Sequence, residues 1–315
     1  MQRVWLLSFM LFMGHSVAEK VLIITHSCNR PDFIEMQHRA FDALLQDEYT
    51  FVVFNDARDV QMERSIQQIC EKCGITCMRV PQEIHTRPYL ERLPGDPLHR
   101  PNIRHANCVQ YSLDVLGFDF DGIVMILDSD MFLTRPLSLT DYMQDKDIAA
   151  YMKGSGAGAK KVTYICPALS IFNMHTLPEK KAMNFNCGMV NGLSVDSGGY
   201  SYYYLAKHPE LKVQNVTVLW CHNLYLGNID IHKPIDQHTP DKVKAAFYRA
   251  NGFNELEIAF LLKKPSTVDF FFDKHFLHYH GGTNYHNLPK DYHQKKTALI
   301  NDFLDSAISA YSEQK

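Results

Sequence analysis

A chain of 315 residues suits one large α/β domain or two average ones, and it buries roughly 75% of its unfolded surface on folding. Hydrophobic residues at 46% and charged residues at 21%, with 16 Gly and 14 Pro, exclude collagen, coiled coil and wholesale disorder. Lys+Arg of 32 against Asp+Glu of 35 leaves a net charge of −3 with no basic stripe, so nucleic acid is not an expected partner.

The amino terminus carries Arg3, an apolar run Val4 to Met13 interrupted only by Ser8, and then Ser16-Val17-Ala18. This predicts a secretory signal peptide over residues 1–18, cleaved after Ala18. The expected location is the lumen of the secretory pathway or outside the cell. The alternative is a buried first strand or helix of a cytoplasmic protein. The apolar run of ten residues falls short of the ~20 a span requires, so the mature chain is expected to carry no stable membrane span.

Val21 to Thr25 reads as a first strand, followed by the polar loop His26 to Pro31. A helix follows, with Asp32 as its expected cap and Phe33, Met36, Ala40, Leu44 and Leu45 at helical spacing. Phe51 to Phe54 is a second strand closing at Asn55-Asp56. Val60, Ile66, Ile69 and Cys73 mark a second helix that Gly74 ends, and Thr76 to Val80 is a third strand. Residues 81–101 carry no periodicity and read as a long loop. Helix returns over Asn102 to Leu116, before the most apolar strand, Gly122 to Leu127.

Beyond Asp130 the pattern loosens. Lys153 to Lys160 reads as a flexible Gly-rich loop, Tyr164 to Asn173 as a strand, and a helix is expected near Gly199. Val268 to His280 is strand-like, and Asp291 to Tyr311 is an amphipathic terminal helix. The alternation predicts an α/β fold, an open, mixed, mainly parallel sheet flanked by helices, in a single domain over residues 19–315.

The eight cysteines, Cys28, Cys70, Cys73, Cys77, Cys108, Cys166, Cys187 and Cys221, are an even set compatible with disulfides in an exported protein. Cys70, Cys73 and Cys77 could instead ligate zinc with His85, although the spacing is irregular and a second Cys pair is absent. Asn215-Val216-Thr217 is a glycosylation sequon.

The strongest chemical feature is Asp128-Ser129-Asp130 at the carboxyl end of the most apolar strand, where open α/β sheets bind ligands. Unpaired buried carboxylates are costly, so two of them there suit a hard divalent cation, which in turn neutralises a diphosphate. A strand-ending turn with solvated Asp side chains is the bland alternative.

Strand, polar loop and helix followed by an apolar strand ending in Asp-x-Asp resembles the nucleotide-diphospho-sugar transferases of the GT-A fold. The likeness runs over about residues 20–285, strongly to residue 135 and thinly beyond. It implies a nucleotide-binding half over about 20–135 and an acceptor half with the terminal helix over 136–315. It also implies Mn2+ or Mg2+ as cofactor, a nucleotide-sugar donor, and a hydroxyl acceptor on a glycan, protein or lipid. By the resemblance, Thr25, His26 and Arg30 face the nucleotide together with Asn55 and Asp56. Arg104 or Asn107 meets the donor from the preceding helix, Asp128 serves ribose or metal, and Asp130 the metal. For Arg104 a solvated helix-surface charge is the alternative.

Phe276 to Tyr285 carries His278-Tyr279-His280-Gly281-Gly282 and is similar to the His-aromatic-x-Gly segment of the glycogenin-like branch. That implies His278 as third metal ligand, with Gly281 on the donor side. Strand alternation would point His278 and His280 the same way and Tyr279 oppositely. The Lys-Pro-Trp of that branch is replaced here by Asn284-Tyr285, so another cation, Lys274 or Lys290, would have to meet the donor phosphate.

Val195-Asp196-Ser197-Gly198-Gly199-Tyr200 resembles the acidic acceptor-side segment of several GT-A enzymes. Asp196 would be a base for the acceptor hydroxyl or a polar clamp on the donor sugar, or else an N-cap. Direct deprotonation by Asp196 predicts inversion at the anomeric centre; with no carboxylate in reach, a retaining front-face displacement is expected. The expected activity is metal-dependent glycosyl transfer, of a hexosyl or pentosyl group. The alternative is an exported, non-catalytic carbohydrate- or nucleotide-binding protein that retains the fold. A nucleotidyltransferase is disfavoured because no Gly-rich, Arg- or Lys-containing phosphate loop follows the first strand.

Overall fold

The computed structural model describes residues 20–86, 100–158, 161–220, 239–263, 268–271, 274–283 and 290–312. The expected signal peptide and Cys221 lie outside the described residues.

In chain order the elements are β1 (Val21–Ser27), α1 (Pro31–Leu44), β2 (Tyr49–Asn55), α2 (Val60–Cys73), β3 (Thr76–Arg79) and α3 (Arg100–Val115). Then come β4 (Ile123–Asp128), β5 (Met131–Leu133), α4 (Leu139–Met143), β6 (Ile148–Ser155), β7 (Val162–Asn173), β8 (Gly188–Val190), β9 (Leu193–Val195) and α5 (Ser201–Lys207). The chain closes with β10 (Val213–Asn215), β11 (Val218–Trp220), α6 (Asp241–Ala250), α7 (Glu255–Leu262), β12 (Val268–Phe271), β13 (Phe276–Tyr279) and α8 (Lys290–Ser312).

Seven strands form the main sheet in the order β10-β6-β7-β4-β1-β2-β3. The pairs β1–β2, β1–β4, β2–β3 and β10–β6 are parallel, and β7 runs antiparallel between β4 and β6. This is the mixed, mainly parallel sheet flanked by helices that the alternating pattern implied. Alternate residues of its central strands feed two cores, because strand side chains point to opposite faces. Val21, Ile23, Val53, Met125 and Leu127 pack under α1, α2, α7 and α8. Leu22, Ile24, Val52, Val124 and Ile126 pack under α3 and α5. Burial on both faces explains why these strands read as continuous apolar runs.

A second sheet, β11-β12-β13-β5, is antiparallel. It joins the C-terminal segment to the residues that directly follow β4, so a late strand is brought to the tip of an early one.

Local differences from the sequence reading have physical causes. Asp32 does not cap α1: Arg30 occupies the cap position, with Pro31 opening the helix and Asp32 turned to ion-pair with Arg30. Lys153 to Ser155 are strand, not loop, since Lys153 and Gly154 pair with Tyr164 and Thr163 in β7. The run Val268 to His280 is two antiparallel strands, with Lys274 in the left-handed region at φ 72° between them. The helix after Gly199 begins at Ser201, and Asp196 is not its cap. No described helix is long and apolar enough to cross a membrane.

Candidate functional site

The site lies at the carboxyl ends of β1 and β4. Their parallel register sets His26 directly beside Asp128, and the chain turns through Ser129 and Asp130 into β5. Pairing of β5 with β13 sets His278 opposite Met131, and the Tyr279 amide donates to the Asp130 carbonyl at 2.8 Å. Ligand atoms of Asp128, Asp130 and His278 consequently lie within 4.8 Å of one another. His278 Nε2 is 3.4 Å from Asp130 Oδ1, near the spacing of about 3 Å for neighbouring ligands each about 2.1 Å from one octahedral ion. Two carboxylate oxygens and an imidazole nitrogen are a donor set that Mn2+ accepts. The residues fit a divalent cation.

The walls of this corner are fixed by groups that the sequence reading assigned to the ligand. Arg30 is 1% exposed and spends its guanidinium inside the protein. It donates to Asp32 at 2.8 Å, the Gly282 carbonyl at 2.7 Å and Thr297 at 2.9 Å, and it stacks over Phe33. Asn29 donates to the Thr283 carbonyl at 2.7 Å. The loop after β1 therefore ties down the loop after β13 and, through it, α8. Gly282 lies in a tight gap, where a Cβ would stand 2.9 Å from Phe33 and 3.0 Å from the Asp130 Cβ. Gly281 turns the chain at φ 76°. Thr25 is fully buried and donates its hydroxyl to the Leu127 carbonyl at 3.1 Å, and Asn55 closes the end of β2 through Ala57 and Glu63. These polar side chains serve the backbone.

His105, on α3, was not singled out by sequence reasoning. Its Nε2 lies 3.2 Å from Asp128 Oδ1, and its ring meets His26 edge-on at 6.3 Å. Burial alone would lower its pKa, but the Asp128 carboxylate, helped by Asp196 and Asp130, raises it above the usual imidazole value. Burial opposes the Asp128 charge as well; the His105 ring overcomes it and holds Asp128 down at about 2. His26 goes the other way. Burial, then the neighbouring His105, pulls it down to about 3, so it is a neutral ring hydrogen-bonded to Ser112 at 2.9 Å. The only advance signal for His105 was its place on the helix that precedes the acidic strand, three residues from the start of the Asn102 to Leu116 periodicity.

Asp56 forms a second cluster beside the first. Its buried carboxylate meets Arg104 Nε at 2.7 Å and His85 Nε2 at 2.9 Å, and accepts from Gln82 at 3.1 Å. Arg104 is thus not a solvated surface charge; it also donates to the Asp56 carbonyl and to Gln82, each at 2.8 Å. Desolvation would raise the Asp56 pKa, but His85 and Arg104 outweigh it and hold it below the ordinary carboxylate value. Asn107 donates to the Ile84 carbonyl at 3.0 Å and anchors α3 to the segment after β3.

Asp196 stands on the same side as His105, which feels its charge. Lys153 donates to its Oδ2 at 2.5 Å and the Ser197 amide to Oδ1 at 2.8 Å. Burial opposes ionisation, yet this Lys153 pairing lowers the pKa overall. A carboxylate so held is a weak proton acceptor near neutrality. The glycines after it admit the protein's own backbone: a Cβ on Gly198, where φ is 86°, would lie 1.9 Å from the Ile165 carbonyl oxygen.

Lys274 does not turn toward the metal corner, since its ammonium sits over the Phe253 ring at the far end of the β13 hairpin. Asn284 and Tyr285 lie outside the described residues. His280 follows the end of β13 and is exposed, whereas His278 and Tyr279 are buried. The zinc reading of Cys70, Cys73 and Cys77 is not met: among the described residues only Asp56/His85/Cys108 and Asp128/Asp130/His278 gather three ligand atoms.

No family model matches the sequence, and the search against curated proteins finds no match. Among solved structures, the chain is similar to a mannosyltransferase from Pyrobaculum calidifontis in complex with GDP-Man and Mn2+, at 10% identity and TM-score 0.39 over 94% of this chain and 74% of that one. It is also similar to glucosyl-3-phosphoglycerate synthase from Mycobacterium tuberculosis, at 12% identity and TM-score 0.38 over 62% and 69%. A third likeness is to core-mannan synthase A from Aspergillus fumigatus in an Mn/GDP form, at 8% identity and TM-score 0.35 over 53% and 63%. The match to that synthase spans less than two thirds of its length.

Proposed function

We propose that this chain is a metal-dependent glycosyltransferase that moves a sugar from a nucleotide-diphosphate donor to a hydroxyl acceptor. The observation that carries this reading is the convergence of Asp128, Asp130 and His278, from two distant stretches of chain, on one buried corner at the switch of strand direction. Open α/β sheets bind ligands at that edge.

Asp128, Asp130 and His278 would hold the cation. When bound, Mn2+ or Mg2+ supplies a Lewis acid that offsets the charge of the leaving nucleoside diphosphate. His105 orients the Asp128 carboxylate from behind. Asp56, held by Arg104 and His85, would shape the nucleoside side of the crevice. Asp196, paired with Lys153, acts as the polar clamp on the donor sugar: it accepts a hydrogen bond from a sugar hydroxyl and keeps the sugar over the corner. The signal peptide, if cleaved after Ala18, would put the reaction in the secretory lumen.

Donor hydrolysis is the test. A panel of nucleotide sugars with Mn2+ should give slow release of nucleoside diphosphate for one donor base. Asp130→Asn should abolish it. Binding of nucleoside diphosphate with no turnover of any donor would instead favour the non-catalytic binding protein.

A further inference from the structure

Away from the site, the junction of α2 and β3 places two cysteines in one core. Cys70 lies in the last turn of α2, fully buried in the core that contains Phe51, Val53, Ile66 and Ile75. Gly74 then takes the left-handed conformation at φ 68°, and the Ile75 amide donates to the Cys70 carbonyl at 2.8 Å. This tight reversal sends β3 back beside β2, with Cys77 opposite Val53 and packed against the same core. Cys70 and Cys77 thus enter one hydrophobic core from the two sides of this reversal. Cys73, one helical turn beyond Cys70, is half-buried and does not complete a metal site with them.

We propose that Cys70 and Cys77 form a closable dithiol, which a small-molecule disulfide converts to an intramolecular disulfide that ties the end of α2 to β3. The tight reversal between them and the core they share limit the chain movement that bridging two cysteines demands.

Two exchanges complete the chemistry. The Cys77 thiolate attacks one sulfur of oxidised glutathione and expels a glutathione thiolate, leaving a mixed disulfide on Cys77. The Cys70 thiolate then attacks the Cys77 sulfur and expels the second glutathione. The protein loses two electrons and the oxidant gains them, while the two thiol protons pass through solvent to the released thiolates. The order follows from the environments. Interaction with Cys70 first, and then with Asn55, lowers the Cys77 pKa against its partial burial, whereas the same interaction and burial raise that of Cys70. The partly exposed, lower-pKa sulfur is the one that meets an outside disulfide first.

The full chain is incubated with oxidised glutathione, blocked with iodoacetamide and digested with trypsin without reductant. Cleavage after Lys72 separates Ser65–Lys72, which holds Cys70, from Cys73–Arg79, which holds Cys73 and Cys77. The expected result is recovery of these two peptides cross-linked, lighter by two hydrogens than their sum, and separated by reductant. Cys73→Ser should leave the cross-link in place and Cys77→Ser should remove it. Alkylation of all three thiols, a bond within Cys73–Arg79, a glutathione adduct that never resolves, or a cross-link lost in Cys73→Ser would each overturn the proposal. The wild-type digest decides even if a serine variant fails to fold.

Discussion

Two clusters at the same edge of the sheet offer nearly the same ligands and meet different fates. Asp128, Asp130 and His278 supply two carboxylates and an imidazole; Asp56, His85 and Cys108 supply a carboxylate, an imidazole and a thiol, and both sets are close enough for one ion. The second already contains its counter-charge. Arg104 Nε sits 2.7 Å from Asp56, and a divalent cation placed there would meet a fixed guanidinium. Burial and the Asp56 carboxylate also keep the Cys108 thiol well above its usual pKa, so the thiolate a metal needs is disfavoured. Around Asp128 and Asp130 the nearest positive partners are histidines, which can be neutral. Ligand type nominates a metal corner, and the surrounding charge decides between candidates.

The largest effect should come from breaking the first cluster. Losing one carboxylate from a buried contact with a cation costs about 3–5 kcal/mol, or about 150- to 5,000-fold in affinity. Asp130→Asn should weaken Mn2+ binding by that amount in a calorimetric titration, while Asp56→Asn should leave Mn2+ affinity within about twofold. Equal losses in both variants would erase the distinction.

Next in size is Arg104→Met, which strands the Asp56 charge. Destabilisation of about 3 kcal/mol is expected, the low end of the range because His85 and Gln82 remain. Denaturant melts would show it, with Mn2+ affinity unchanged. The same pairing sets an acid limit. The folded Asp56 pKa is below its ordinary value of 3.8, so its stabilising share is present above about pH 4 and disappears as pH falls through the lowered value. Stability curves of wild type and Asp56→Asn should converge in that acid window, and parallel curves would count against the pairing.

The smallest effect is expected at His105. It touches Asp128 and not the ion, so His105→Phe should cost about 10-fold in Mn2+ affinity. His105→Asn or Gln, which can still donate a hydrogen bond, should recover part of it. A loss as large as that of Asp130→Asn would make His105 a ligand.

The first half of the fold was legible because it is built from local signals. Apolar strands, amphipathic helices and Gly74 at a helix end all read at the level of a few residues, and the observed bounds of β1, α2, β3 and α3 lie within about two residues of those expected. Asp128 and Asp130 were legible for the same reason, since their position follows from the strand before them. The second half is held by pairings between distant segments. The short strands β5, β8, β9, β10 and β11 have only three residues each, too few to show alternation. His278 was found through a motif and not through periodicity. Arg30 shows the opposite error: an Arg in a polar loop reads as a ligand contact, yet its partners Gly282 and Thr297 come from the far end of the chain. Nothing near residue 30 announces them.

Mn2+ titration followed by electron paramagnetic resonance examines the centre of this account most directly. The wild-type chain should quench the free-ion signal with one saturable site, and the double variant Asp128→Asn/Asp130→Asn, shown to be folded by circular dichroism, should leave the free-ion signal untouched. A wild-type chain that leaves the free Mn2+ signal unchanged at millimolar ion, with and without nucleoside diphosphate, would contradict it.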